Sequence, residues 1–290
     1  MIEMIIINGA VMGGVISILA TGFSLVFGVA KILNLAYTAF YMVASFLLYI
    51  MIIMYKLPLS LSFVTSIIIT AILAMASYKI CLDRIKEHES AVLIITVALT
   101  ILFQEILILF FSAINRTIPP LVGGSSEILG VAILNQQIFC VVVSIGIIAI
   151  IWLFLSKTKM GNAIMAVAED REVANLMGIN VSRMCMITVG ISGVLAGLAA
   201  VVVAPLQMIQ PYMWMYPLVS VLCAVILGGL GNIKGGIVGA YILGFTEACV
   251  VFLFPKFSFL RGAVSLSIML IILLIRPEGL FGIIFEEERL

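Results

Sequence analysis

The chain has 290 residues, of which 64% are hydrophobic and only 10% charged, against roughly 25% charged in an average soluble domain. With a mean hydropathy of +1.34 and a formal net charge of +1, it lacks the polar surface of a soluble enzyme, a nucleic-acid binder or a disordered chain. At about 20 apolar residues per crossing, the composition predicts an all-α polytopic membrane protein, a single transmembrane domain over residues 1–290.

Apolar runs bounded by charge, Pro or Gly predict spans at 5–30, 36–54, 59–78, 91–113, 138–155, 185–209, 217–231, 236–254 and 262–275. Backbone polar groups have no water partner in lipid, so each run must be helical or screened by protein. The start, Met1-Ile2-Glu3-Met4, has no basic n-region, and the first run reads as a span rather than a cleaved signal. The run 217–231 is short and closes on Gly228-Gly229-Leu230-Gly231-Asn232, so it is either a crossing or a half-helix or re-entrant segment, and the count is eight or nine. Basic residues set the orientation. With the loops 79–90 and 156–184 in the cytoplasm, Lys31, Lys79, Arg84, Lys86, Lys157, Lys159, Arg171, Arg183, Lys234, Arg276 and Arg289 fall inside, and Lys56, Arg116, Lys256 and Arg261 outside. Nine crossings then leave the N-terminus outside and the C-terminus in the cytoplasm. The halves of the chain show no convincing duplication.

Two loops are long. The outer one, 114–137, contains Pro119-Pro120 and Gly123-Gly124 and carries little charge. The inner one, 156–184, is the most polar stretch of the chain. Its residues 161–177 predict a short amphipathic helix, with Ile164, Val167, Ala168, the stem of Arg171, Ala174 and Met177 along one side. Glu169, Asp170 and Glu172 lie on the other side, and Gly178 is the C-terminal stop. Such a helix is either a connector lying on the headgroups or a docking element for a cytoplasmic partner.

Polar groups inside spans are costly and need a reason. Glu105 with Gln104, and Glu247 with Thr246, either face a translocation path or are hydrogen-bonded structural groups of the bundle interior. Asn34 is a helix-capping or helix-breaking residue, or a substrate contact. Gly228, Gly229 and Gly231 could break a helix at membrane depth, whereas Gly193-x-x-x-Gly197 and Gly235-x-x-x-Gly239 permit close helix packing. Trp152, Trp214 and Tyr216 read as interfacial anchors. Cys81, Cys140, Cys185, Cys223 and Cys249 have no paired spacing, and His88 is the one histidine, so no disulfide framework and no metal site are expected. No HExxH, GxSxG or Asp dyad supplies a catalytic set, and no Walker motif supplies an ATPase site.

Four segments carry a family resemblance. Lys31-Ile-Leu-Asn34-Leu-Ala-Tyr37-Thr38-Ala-Phe-Tyr41-Met resembles the INFAHGxxYM segment of branched-chain amino acid ABC permeases, with Tyr37-Thr38 in place of His-Gly. Gly161-x-Ala-x-x-Ala-x-Ala-x-Asp170-x-x-x-Ala174-x-x-x-Gly178-Ile179-Asn180 is similar to the coupling segment of that branch. Within it, Glu172-Val173-Ala174-x-x-x-Gly178 resembles the EAA…G loop of ABC importers, without the downstream Ile-x-Leu-Pro of the amino-acid and maltose branch. Leu227-Gly228-Gly229-Leu-Gly231-Asn232-Ile-x-Gly235-Gly236-x-x-Gly239-Ala240 with Glu247 resembles the glycine-rich segment, and Arg276-Pro277-Glu278-Gly279-Leu280-Phe281-Gly282 the C-terminal RPxGLFG signature. The order is kept over nearly the whole chain. Its length and its coupling segment look more like the shorter H-type subunit than the M-type partner.

The resemblance implies a non-enzymatic permease subunit of the prokaryotic inner membrane. Two ATP-binding subunits would dock on the loop carrying Ala163, Ala166, Glu169, Asp170, Glu172, Ala174 and Gly178. A second permease would complete the path, an extracytoplasmic binding protein would deliver substrate, and the chain itself would hold no cofactor, ATP being used by its partners. Asn34, Tyr37, Glu105, Glu247, Gly228, Gly229 and Gly231 are the path or helix-break candidates. Branched-chain or other hydrophobic amino acids are the expected substrates. Because Tyr37-Thr38 depart from the pattern, urea, short amides or sugars stay open, as does an ion-coupled carrier using Glu105 and Glu247.

Overall fold

A computed structural model of the chain describes residues 2–85, 88–128 and 131–282; Lys86 and Arg289 of the orientation count lie outside them. Eight helical segments among the described residues are long and apolar enough to cross a membrane, with one shorter apolar helix, Met215–Gly228. In chain order the helices are α1 (Ile2–Ala30), α2 (Tyr37–Tyr49, continued by a π-helical turn to Met54), α3 (Leu59–Ser77, continued likewise to Leu82) and α4 (Glu89–Phe111). After a hairpin of β1 (Ser125–Ile128) and β2 (Val131–Leu134) come α5 (Asn135–Lys157), α6 (Lys159–Glu169), α7 (Arg171–Leu176) and α8 (Val181–Val203). Then follow α9 (Met215–Gly228), α10 (Ile233–Leu253) and α11 (Arg261–Ile275).

Helix α1 is the axis of the bundle and packs on α5, α8, α9 and α10. Its small residues explain why. Side chains of Tyr241 and Phe245 on α10 fill the notches at Gly13 and Gly9, and Gly244 lies against the α1 backbone. Close approach of small residues replaces the hydrophobic driving force that helices lack in lipid. The same device joins Gly193 and Gly197 of α8 to Ala71, Ala74 and Ile67 of α3. It also joins Gly235 and Gly239 of α10 to Gly228 and Ala224 of α9. Both glycine pairs of the sequence are therefore packing contacts, and the pair in α1 is a third.

One end of the bundle carries α6 and α7; the other carries the β hairpin. The coupling end, bearing α6 and α7, gathers Lys31, Asp83, Arg171, Arg183, the 229–232 turn and the segment after α11. At the hairpin end, Ser125 pairs antiparallel with Leu134, a hairpin that the loop sequence did not predict. The buried Gln136 accepts from the Leu121 and Val122 N–H groups (3.0 and 3.2 Å) and donates to the Val202 carbonyl (3.1 Å). The 114–137 loop is thus fastened to the top of α8.

Helical continuity is broken inside the bundle at two places. Residues 31–36 double back along α1, which sets the ring of Tyr37 beside Gly22 and Phe23. Gly22 lies eight residues, or about 12 Å, before the end of α1. From the hairpin end, residues 207–214 leave α8 and descend before α9 begins. Ile209 exchanges two backbone hydrogen bonds with Arg116 (2.9 and 2.8 Å) just beyond α4. Trp214, five residues on, donates to Gln104, a full seven residues below Phe111 (2.7 Å). The second break is tied to α2, where the Tyr41 hydroxyl donates to the Gln207 side-chain oxygen (3.2 Å). The short helix α9 is the half-length element expected at 217–231, but its break lies at its start rather than at its glycines.

Candidate functional site

The coupling segment folds as two helices, which corrects the expectation of one helix over 161–177. Asp170 is the reason: its backbone is extended (φ −147°, ψ 117°), and its carboxylate accepts from the N–H groups of Glu172 (2.8 Å) and Val173 (3.0 Å). An Asp that can cap a new helix competes with continuation of the old one. Thr158 caps α6 in the same way through Gly161 N–H (2.9 Å). Helix α7 then closes in a Schellman turn, with Ile179 N–H on the Ala174 carbonyl and Gly178 N–H on the Asn175 carbonyl (3.0 Å each). Gly178 sits at φ +84°, where a side chain would be strained. Asn180 caps α8 at once through Arg183 N–H (2.9 Å).

Ile164, Val167 and Ala174 are buried as the pattern requires, and Ala163 and Ala166 are half-buried. Met177 is not on the inner side: it is 79% exposed, beside Leu176 at 86%. Val173, one helical turn before them on α7, and Met165 on α6 are exposed as well, as are Glu169, Asp170 and Glu172. The inner contact is made by Arg171. Its Nε and one terminal nitrogen both donate to the Val29 carbonyl (3.1 and 2.7 Å), in the last turn of α1. A guanidinium satisfies an orphan carbonyl and the negative end of the helix dipole together. The sequence showed Arg171 only as a basic residue with an apolar stem; that an arginine beside the cap of a surface helix faces a helix C-terminus is the available signal.

Gly228–Gly231 forms the turn between α9 and α10 at the coupling end, beside Gly28 of α1, with Gly229 and Gly231 at positive φ. The C-terminal signature is bound to it. Leu280 and Phe281 N–H groups donate to the Leu227 and Gly228 carbonyls (2.8 and 3.0 Å), and the Asn232 side chain donates to the Phe281 carbonyl (2.9 Å). Two motifs that read as separate in sequence are one structural unit.

The intramembrane polar residues separate into four kinds. Asn34 is buried, and its side-chain oxygen accepts from Ala36 N–H (3.1 Å), forming the turn that starts α2. Tyr37 is buried, and its hydroxyl has no hydrogen-bond partner among the described residues. Glu247 is buried and accepts from the hydroxyls of Tyr216, Ser220 (3.4 Å) and Ser265 (2.7 Å), tying α9, α10 and α11 together. Arg261 lies over the Tyr216 ring, 4.4 Å from its centroid. Glu105 is exposed and accepts from Gln104 (3.3 Å). Trp214 and Tyr216 are half-buried and hydrogen-bonded to Gln104 and Glu247, whereas Trp152 is exposed. No group of three His, Cys, Asp or Glu side chains comes together among the described residues.

Residues 5–274 match the family model described as the permease component of branched-chain amino acid transport systems. The chain is 28% identical to the high-affinity branched-chain amino acid transport system permease protein BraD of Pseudomonas aeruginosa, over 96% of this chain and 94% of that one. It is 27% identical to the corresponding protein LivH of Salmonella typhimurium, over 95% and 94%. Among solved structures, PsaBC from Streptococcus pneumoniae superposes with a TM-score of 0.54 at 15% identity, covering 93% of this chain and 91% of that one; this similarity concerns the fold.

Proposed function

Because the chain belongs to the family of permease components of branched-chain amino acid transport systems, we propose that it forms one half of an ATP-driven import path for branched-chain or other hydrophobic amino acids. The observation that carries the reading is the α6–α7 unit. It presents Val173, Leu176 and Met177 outward while Arg171 holds α1 from within. Small capped helices with an exposed apolar side suit a groove in a partner, and the partners proposed are two ATP-binding subunits. The coupling end is then cytoplasmic, in keeping with its basic residues, and the N-terminus lies outside. A homologous permease completes the path, and an extracytoplasmic binding protein meets the hairpin end.

In this reading the chain performs no bond chemistry. ATP binding draws the two ATPases together and moves the docked α6–α7 units. The displacement passes through Arg171 to α1, and through the short connections at Thr158 and Gly178 to α5 and α8. These helices flank the two breaks at 31–36 and 207–214, where a modest shift changes the packing around Tyr41 and Gln207.

The test is reconstitution of the complete transporter in liposomes. ATP-dependent accumulation of radiolabelled leucine, isoleucine or valine is the expected result. Uptake driven by a pH gradient without ATP would overturn the proposal in favour of an ion-coupled carrier. ATP-dependent uptake of urea, short amides or sugars alone would overturn the substrate assignment.

A further inference from the structure

Helix α4 has a property that is costly in lipid. Its exposed side carries Ile94, Ile101, Leu102 and Leu109 at helical spacing, with Glu105 among them and also exposed. Glu105 lies six residues before Phe111, hence about 9 Å along the helix from the hairpin end. An ionisable group placed in hydrocarbon costs several kcal/mol and normally faces the bundle interior or water.

A second observation falls on the same face. Residues 207–214 are not a regular helix, and they run down α4 from Ile209, level with Arg116, to Trp214, level with Gln104. Met208, Tyr212 and Met215 in or beside this stretch are 62%, 45% and 50% exposed. Non-helical backbone at membrane depth persists only where it is covered by protein or lines a water-filled cavity. The two features are joined by hydrogen bonds: Trp214 Nε1–H donates to Gln104 Oε1 (2.7 Å), and Gln104 Nε2–H donates to Glu105 Oε1 (3.3 Å).

We infer that this face, from Glu105 across Gln104 and Trp214 to Tyr212, lines the aqueous translocation path and is turned toward the facing permease, not toward lipid. The inference rests on the reading of the chain as one of two permeases sharing a path. It assigns Glu105 to the wall of that path and leaves Glu247, enclosed by three hydroxyls, as a fastening between helices.

The test is site-directed spin labelling of the assembled transporter in lipid nanodiscs, with the half-exposed Cys81 and Cys249 replaced by Ser. Labels at Glu105→Cys and Tyr212→Cys are compared with labels at Ile68→Cys and Val142→Cys, exposed positions on α3 and α5. Accessibility to the water-soluble relaxation agent nickel-EDDA is expected to exceed accessibility to oxygen at 105 and 212, with the order reversed at 68 and 142. Oxygen-dominated relaxation at 105 and 212 would assign the face to lipid and overturn the inference. Low accessibility to both agents would assign it to a dry protein contact and overturn it equally. Uptake and ATPase co-purification of the Val142→Cys protein, whose label lies off the proposed path, report separately on the permease reading: their loss beside water-accessible labels at 105 and 212 counts against that reading alone.

Discussion

Arg171 and Val29 are joined by two hydrogen bonds from one guanidinium to one carbonyl, although 142 residues separate them. The pair links a surface helix to the last turn of the central helix. Substitution Arg171→Ala is expected to leave ATPase docking intact and to reduce substrate moved per ATP hydrolysed by about tenfold, since charge-assisted hydrogen bonds contribute about 1.5–3 kcal/mol. Arg171→Lys, which loses the fork geometry, should fall between the two. Parallel measurement of ATP hydrolysis and uptake in proteoliposomes checks this; unchanged stoichiometry would show that α1 is moved by another route.

The cap at Asp170 has a separable effect. Asp170→Ala removes the acceptor for two N–H groups of α7, at a cost of about 1 kcal/mol. The expected consequence is roughly fivefold weaker binding of the ATP-binding subunits, with Asp170→Asn close to the parent. Titration of the purified permease with those subunits provides the comparison.

Leu176 tests the docking surface itself. It is exposed and supports no internal packing, so Leu176→Asp should alter thermal stability by less than about 0.5 kcal/mol. ATPase co-purification should nevertheless be abolished. Normal co-purification would mean that the ATPases sit elsewhere.

Glu247 behaves as a structural node. Glu247→Leu leaves the Tyr216, Ser220 and Ser265 hydroxyls without their acceptor and should destabilise the bundle by about 1–3 kcal/mol, read as a lower thermal midpoint in detergent. Glu247→Gln keeps one acceptor oxygen and should lose less. Equal stability of the leucine variant and the parent would remove Glu247 from the fastening of α11.

The spans, their order and the stop at Gly178 were legible because hydropathy and local side-chain chemistry decide them, whereas the caps at Thr158, Asp170 and Asn180 were not, the pattern running one helix over 161–177 through Asp170. Thr158, Asp170, Gly178 and Asn180 act on backbone within three residues of themselves. The contacts that build the site are between distant segments. Nothing near Gln104 in sequence points to Trp214, and nothing near Gly229 points to Gly282. The break at 207–214 was hidden for a different reason: its start is as apolar as the helix before it, so the run 185–209 reads as one span. Hydropathy also gave Glu105 and Glu247 the same standing, whereas burial separates them.

The notched face of α1 has a consequence for assembly. Gly9 and Gly13 are made first and find their partner, Gly244, more than 200 residues later. At roughly 5–20 residues per second of synthesis, the wait is roughly 10–50 s. During that time the first helix carries an unfilled groove of small residues, the kind of surface on which helices associate in lipid. The bundle therefore closes around its oldest segment only when its penultimate helix arrives.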